Sequence, residues 1–143
     1  MKIIDVDLVS FRVTSNMSAT KWGYSEWVPE TEVIRSFTRI RTDDGLEGYS
    51  EQGFPYYFYT PSQDEIEQLV KPLLVGEDPF DRERLWHLMA RHNRFAEGLL
   101  GNIDCALWDL AGKFAGLSVS RMLGQARNKI KAYASIAPNL GDP

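Results

Sequence analysis

The chain has 143 residues, 43% of them hydrophobic and 25% charged, with a formal net charge of −4, the make-up of one soluble globular domain long enough to bury a core. The acidic balance argues against non-specific nucleic-acid binding, which needs a basic face to displace counterions, and no run approaches the roughly 18 apolar residues that span a membrane. A single cysteine, Cys105, excludes an internal disulfide; Asp5 and Asp7 break the apolar N-terminal stretch, which therefore lacks a signal-peptide core and points to a cytoplasmic location.

The N-terminal MKIIDVDLVSFRV reads as a strand. Ile4, Val6 and Leu8 share one face, while Val9, Phe11 and Val13 share a face of opposite parity. Such a slip predicts a β-bulge near Leu8 and Val9. Residues 14–31 have no period and carry Trp22, Gly23, Tyr24, Trp27 and Pro29. A loop this long in a compact domain is functional or disordered. Residues 33–42 are rich in β-branched and aromatic side chains, as strands are. Asp43, Asp44 and Gly45 form a turn signal, and 46–51 return as the partner strand. A second aromatic connection, 52–61, holds Phe54, Tyr56, Tyr57 and Tyr59.

Helices come next. Ser62 with Glu65 fits a capping box, and Ile66, Leu69, Val70, Leu73 and Leu74 make one apolar stripe. Pro72 should kink or end that helix. After Gly76, Asp78 is placed to cap a second helix with Pro79 at its first position, burying Leu85, Leu88 and Met89. A third helix is expected from about Glu97 to Ala115. Leu100, Ile103, Leu107, Leu110 and Phe114 step by 3, 4, 3, 4 along it, and Gly116 stops it. A short link leads to KIKAYASIAP, which alternates as a strand but has no later partner.

The segment Asn102–Gly124, NIDCALWDLAGKFAGLSVSRMLG, resembles a signature of the mandelate racemase and muconate-lactonising branch of the enolase superfamily, through Ala106–Asp109, Gly112–Lys113 and Met122–Gly124. Ser118 stands where many relatives have proline. Thr42–Glu51 resembles the family's hairpin, and Leu74–Trp86 the junction between its first helices. The resemblance implies an α+β fold. A three-stranded antiparallel sheet is followed by a helical bundle, as in the enolase N-terminal capping domain. It implies a capping domain over 1–128, with 129–143 as the first strand and loop of a truncated (β/α)8 barrel.

In the family, a modified TIM barrel binds Mg²⁺ and lysine or histidine bases remove a proton beside a substrate carboxylate. A whole barrel takes about 250 residues, so the resemblance carries no catalytic or metal residue onto this chain. Mg²⁺ is expected only in a complete enzyme, and the chain alone is expected to be inactive. What the resemblance does carry over is substrate selection by two loops, with Trp22, Tyr24, Trp27, Phe54 and Tyr56 as the substrate-binding candidates. Packing the loops onto the domain is the competing role for each ring.

Other residues invite chemistry less. His87 and His92 are spaced i, i+5, whereas helical metal pairs use i, i+4. Asp109 and Lys113 have the spacing of a helix ion pair, and Asp104 shares their helix. Cys105 reads as a small hydrophobe, and Lys129 and Lys131 as surface residues. The expected function is the capping, substrate-selecting part of a dehydratase or racemase acting on hydroxylated carboxylates such as acid sugars, in a homo-oligomer without nucleic-acid or membrane partners. The alternative is a stand-alone or split-gene binding and assembly module.

Overall fold

The computed structural model describes residues 1–15, 31–51, 62–92 and 97–132. Three antiparallel strands make one sheet in the order β1 (Ile3–Ser15), β2 (Thr31–Thr42), β3 (Glu47–Glu51). β1 and β2 pair from Ile3↔Thr42 to Ser15↔Thr31, whereas β3 covers β2 only from Phe37 to Arg41. The first two strands therefore run on as a two-stranded ribbon. The β2–β3 turn is the expected one, with Gly45 at φ +84°.

A bulge is present, but not where the pattern placed it. The register shifts between Ile3 and Asp5, and the ladder is unbroken from Asp5 to Ser15. The extra residue is Ile4, which is exposed while Ile3 and Val6 are buried. The parity change at Leu8 and Val9 has a different cause. Val6, Leu8, Thr38 and Ile40 face the helices; Val9, Phe11 and Phe37 lie on the opposite face by register. β1 is apolar toward the helical layer in its first half and toward the far side in its second.

The predicted capping box forms: Ser62 Oγ accepts from Glu65 N–H at 3.2 Å, and the Glu65 carboxylate accepts from Ser62 N–H at 2.9 Å. Helix α1 (Gln63–Glu65) passes into a π-helical segment (Ile66–Val70) and then α2 (Lys71–Leu74). Pro72 does not end the helix. In the wide turn before it, Lys71 N–H donates to Ile66 O; an α-turn there would press the ring against a preceding carbonyl. Ile66, Leu69, Val70 and Leu74 are buried as the stripe required.

α3 (Arg82–Ala90) starts later than expected, with Asp81 at its N-cap position. Asp78 instead closes its own turn, accepting from Phe80 N–H at 2.9 Å through its carboxylate and from Asp81 N–H at 3.1 Å through its carbonyl. Leu85 and Met89 are buried and Leu88 half-buried.

α4 (Glu97–Ala115) has the predicted bounds. Gly116 adopts φ +64°, and Leu117 N–H donates to Gly112 O at 3.0 Å, the bond that closes a helix on a left-handed residue. Leu99, Ile103, Ala106, Leu107 and Leu110 join the sheet residues and the earlier helices in one core. Phe114 departs from its stripe: it is 61% exposed and packs on Phe80, ring centroids 4.7 Å apart. The link beyond holds an unforeseen short helix, α5 (Val119–Met122), where Ser118 Oγ accepts from Arg121 N–H at 3.3 Å. Residues 129–132, expected to begin a strand, are exposed and carry none. The rest of that stretch lies outside the described residues.

Candidate functional site

Trp22, Tyr24, Trp27, Phe54 and Tyr56 all lie outside the described residues; the structure gives the stems that carry them. The 14–31 connection leaves β1 at Ser15 and re-enters β2 at Thr31, which are paired. The 52–61 connection leaves β3 at Glu51, paired with Phe37. Both connections depart in the same direction along the sheet. Their stems are staggered by six residues of β2, about 20 Å at the usual rise per strand residue.

The stem of the second connection is fixed by α4. As an edge strand, β3 turns the N–H and C=O of Glu47 and Tyr49 away from β2, where they need partners. The Asp109 carboxylate accepts from Tyr49 N–H at 2.8 Å, and Lys113 Nζ donates to Glu47 O at 2.9 Å. The two side chains pair with each other at 2.6 Å. Lys113 Nζ also sits 4.7 Å from the centre of the Tyr49 ring. One turn of helix thus takes the place of a fourth strand. Below it, Ser50 Oγ donates to Asn102 Oδ1 at 3.0 Å, and Asn102 Nδ2 donates to Gly98 O at 3.2 Å.

Gly48 makes this contact possible. A Cβ there would stand 2.3 Å from Ala106 O and 2.9 Å from Leu110 Cβ. The i, i+4 spacing announced the Asp109–Lys113 pair; its grip on the strand edge was missed. The available signal was a short last strand with nothing later in the sheet to cover it.

The far face of the sheet carries an alternating ion network. Arg39 binds Asp7 through Nε at 3.0 Å and an NH2 group at 2.7 Å. Arg41 pairs with Asp5, which also takes Lys71 Nζ at 3.0 Å. Burial alone would raise the Asp5 carboxyl, but hydrogen bonds from Lys71 and Arg41 hold it below the usual carboxylate value. The hydrogen bond to Asp7 raises the Arg39 guanidinium, which stays charged. Tyr49 OH donates to the Glu47 carboxylate, and that bond raises the phenol.

The remaining candidates lie apart from these stems. His87 is exposed, edge-on to Trp86 with ring centroids 5.2 Å apart, and His92 is exposed. Asp104 pairs with Arg82 at 3.1 Å, whose guanidinium lies 3.9 Å over the Trp108 ring. Cys105 is exposed; the partial desolvation of its thiol, and then Asp104, raise it above its ordinary value. Among the described residues no three His, Cys, Asp or Glu side chains gather to hold a metal. Asp5 and Asp7 already share Lys71, Arg41 and Arg39, so these residues do not fit a Mg²⁺ site. No helix among them is long and apolar enough to cross a membrane.

Comparison with known proteins gives this arrangement its relatives. Residues 30–124 match the family model for the mandelate racemase / muconate lactonizing enzyme N-terminal domain. The chain is 37% identical over 102 residues to an arabinonate dehydratase of Saccharolobus solfataricus, covering 67% of this chain and 27% of the relative. It is 40% identical over 97 residues to a D-galactonate dehydratase family member of a Paenibacillus species, covering 64% and 24%. Among solved structures, D-glucarate dehydratase from Agrobacterium tumefaciens, complexed with magnesium, superposes with a TM-score of 0.71 at 36% identity, over 87% of this chain and 33% of that one. The chain spans about a quarter of the length of the curated relatives it matches. With the family match, the three-stranded sheet and the helices that follow it in hand, the chain belongs to the mandelate racemase / muconate lactonizing enzyme family and carries that family's N-terminal domain.

Proposed function

We propose that this chain is the capping, substrate-selecting N-terminal part of an acid-sugar dehydratase. The supporting observation is the pair of stems. Two aromatic-rich connections leave the same sheet in the same direction, one of them from a strand clamped to α4 by Asp109 and Lys113. The arabinonate dehydratase relative, and the relative named as a member of the D-galactonate dehydratase family, favour a hydroxylated carboxylate as substrate. On this reading Mg²⁺ and the proton-transfer groups belong to the barrel, where Mg²⁺ would stabilise the charge that develops on the substrate carboxylate. This chain contributes Trp22, Tyr24, Trp27, Phe54 and Tyr56, whose rings exclude water and select the sugar chain, in an assembly of several subunits.

A chimera tests it. Residues 1–128 replace the matching part of the arabinonate dehydratase relative, and kcat/KM is measured across a panel of acid sugars. The expected result is an active enzyme with a changed order of preference, partly restored by returning Trp22, Tyr24 and Trp27 to the relative's residues. An active chimera with the relative's preferences unchanged removes the selecting role. Calorimetry on the 143-residue chain should show no stoichiometric Mg²⁺ binding in the micromolar range; such binding would put the metal site here instead.

A further inference from the structure

We infer that the outer edge of β1 is a self-pairing surface, through which two copies of this chain join their sheets into one of six strands. The direction of the backbone groups comes first. Tyr49 N–H points away from β2, toward Asp109. Successive residues of a strand alternate in direction, so the register turns Arg39 toward β1 and Asp7 toward β2. Val6 then points outward, and its N–H is indeed taken by Asp5 Oδ1 at 2.9 Å. By the same alternation the N–H and C=O groups of Leu8, Ser10, Arg12 and Thr14 lie on the open edge. Among the described residues no other strand lies on that side of β1, and Phe11 is 40% exposed.

The side chains on this edge match a second copy of themselves. Val9, Phe11 and Val13 share the far face, centred on Phe11, with Phe37 stacked on Phe11 at 5.5 Å between ring centroids. An antiparallel partner related by a two-fold axis at Phe11 sets Ser10 opposite Arg12 of the second copy, with both residues' outward groups hydrogen-bonding. It sets Phe11 opposite Phe11, and Val9 opposite Val13. The apolar set meets itself, and the four aromatic rings of the two copies form one block. No like charges stand directly opposite, since Arg12 faces a serine and keeps Glu32 at 3.6 Å, while Asp7, already bound by Arg39, faces Ser15. An edge strand of 13 residues without proline and with an apolar face is the kind that recruits another strand.

Sedimentation equilibrium on the 143-residue chain tests the inference. A dimer is expected in the micromolar range. Arg12→Pro removes one outward N–H while leaving the bonds to β2, because edge strands tolerate proline on their solvent side; it should weaken dimerisation at least tenfold with the far-ultraviolet circular dichroism unchanged. In a Cys105→Ser background, Phe11→Cys should form a disulfide-linked dimer on mild oxidation, and Ile34→Cys should not. A wild-type chain that stays monomeric at all concentrations overturns the proposal. So does a dimer that survives Arg12→Pro but is lost on deleting 129–143, which would place self-association at the C-terminal stretch. Should Arg12→Pro fail to fold, cross-linking at Ile34 in preference to Phe11 overturns it by itself.

Discussion

Replacing Gly48 with alanine adds one methyl group where β3 and α4 touch. That Cβ would meet Ala106 O at 2.3 Å, and ordinary contact begins near 3.4 Å. The obstacle is a backbone carbonyl inside a 19-residue helix, so no rotamer relieves it, and α4 must retreat by about 1 Å. The retreat stretches the Asp109–Tyr49, Lys113–Glu47 and Ser50–Asn102 hydrogen bonds together. Overpacking of this kind costs about 1–3 kcal/mol, and weakening bonds that involve charged groups adds about 1–2 kcal/mol. A loss of about 2–5 kcal/mol is expected, a large part of the roughly 5–15 kcal/mol that holds a domain together. Urea denaturation followed by circular dichroism measures it, and Tm should fall by about 6–15 °C. Adding Leu110→Ala should not restore stability, because the carbonyl clash remains. A Gly48→Ala chain within about 0.5 kcal/mol of the wild type, or one rescued by Leu110→Ala, refutes the close-approach argument.

Other outcomes follow from the same contacts. Asp109→Leu removes the acceptor for Tyr49 N–H and the partner of Lys113, and should cost about 2–3 kcal/mol in urea melts, whereas Asp109→Asn keeps an acceptor and should cost about half as much. The Asp5 carboxyl is lowered in the fold, so its contribution is fully present above the ordinary carboxylate value and is lost as pH falls through the folded one. Asp5→Asn should therefore destabilise by about 1–2 kcal/mol at pH 7 and by far less near pH 3, read from paired urea titrations. Leu107→Ala, at a position 1% exposed, should cost about 2–5 kcal/mol. Phe114→Ala, on the same sequence stripe but open to solvent, should cost about 1 kcal/mol or less, and equal losses would mean that the stripe and not the exposure is the right guide.

Much of this fold was legible where the determinant is local. The box at Ser62 and Glu65, the 3, 4, 3, 4 stripe of α4, its stop at Gly116 and the Asp43–Gly45 turn each depend on residues within a few positions of one another. What could not be read depends on residues far apart. The parity change in β1 looks the same in sequence whether the strand bulges or changes the side it buries, and only the packing of the helices on Val6 and Ile40 decides. Pro72 suggested a kink or an end, and the widened turn that lets the helix continue past it leaves no mark in the composition. α3 starts at Arg82 because Asp78 spends its side chain on a tighter turn. Phe114 has the spacing of a core residue, yet it is exposed and packs on Phe80. Of the candidate site, the stems were readable as strand ends; the clamp on β3 was not, since Asp109 and Tyr49 are 60 residues apart. The five candidate rings stand outside the described residues, and their role rests on the chimera.

The clamp at β3 has a topological consequence. A sheet that exposes both edges can accept a neighbour on each side and grow without limit, whereas this one is stopped on one flank by a helix that answers the strand's own backbone groups. A strand that docks beside Glu47 and Tyr49 finds those backbone groups already taken, whereas the outward groups of β1 from Leu8 to Thr14 are left by the register for a partner. On the proposed pairing at β1, each copy carries its own closed stretch of β3 to the outside. Asp109 and Lys113 thus bias the sheet against growth from β3, while the β2 edge from Thr31 to Ser36 lies beyond the reach of β3 among the described residues.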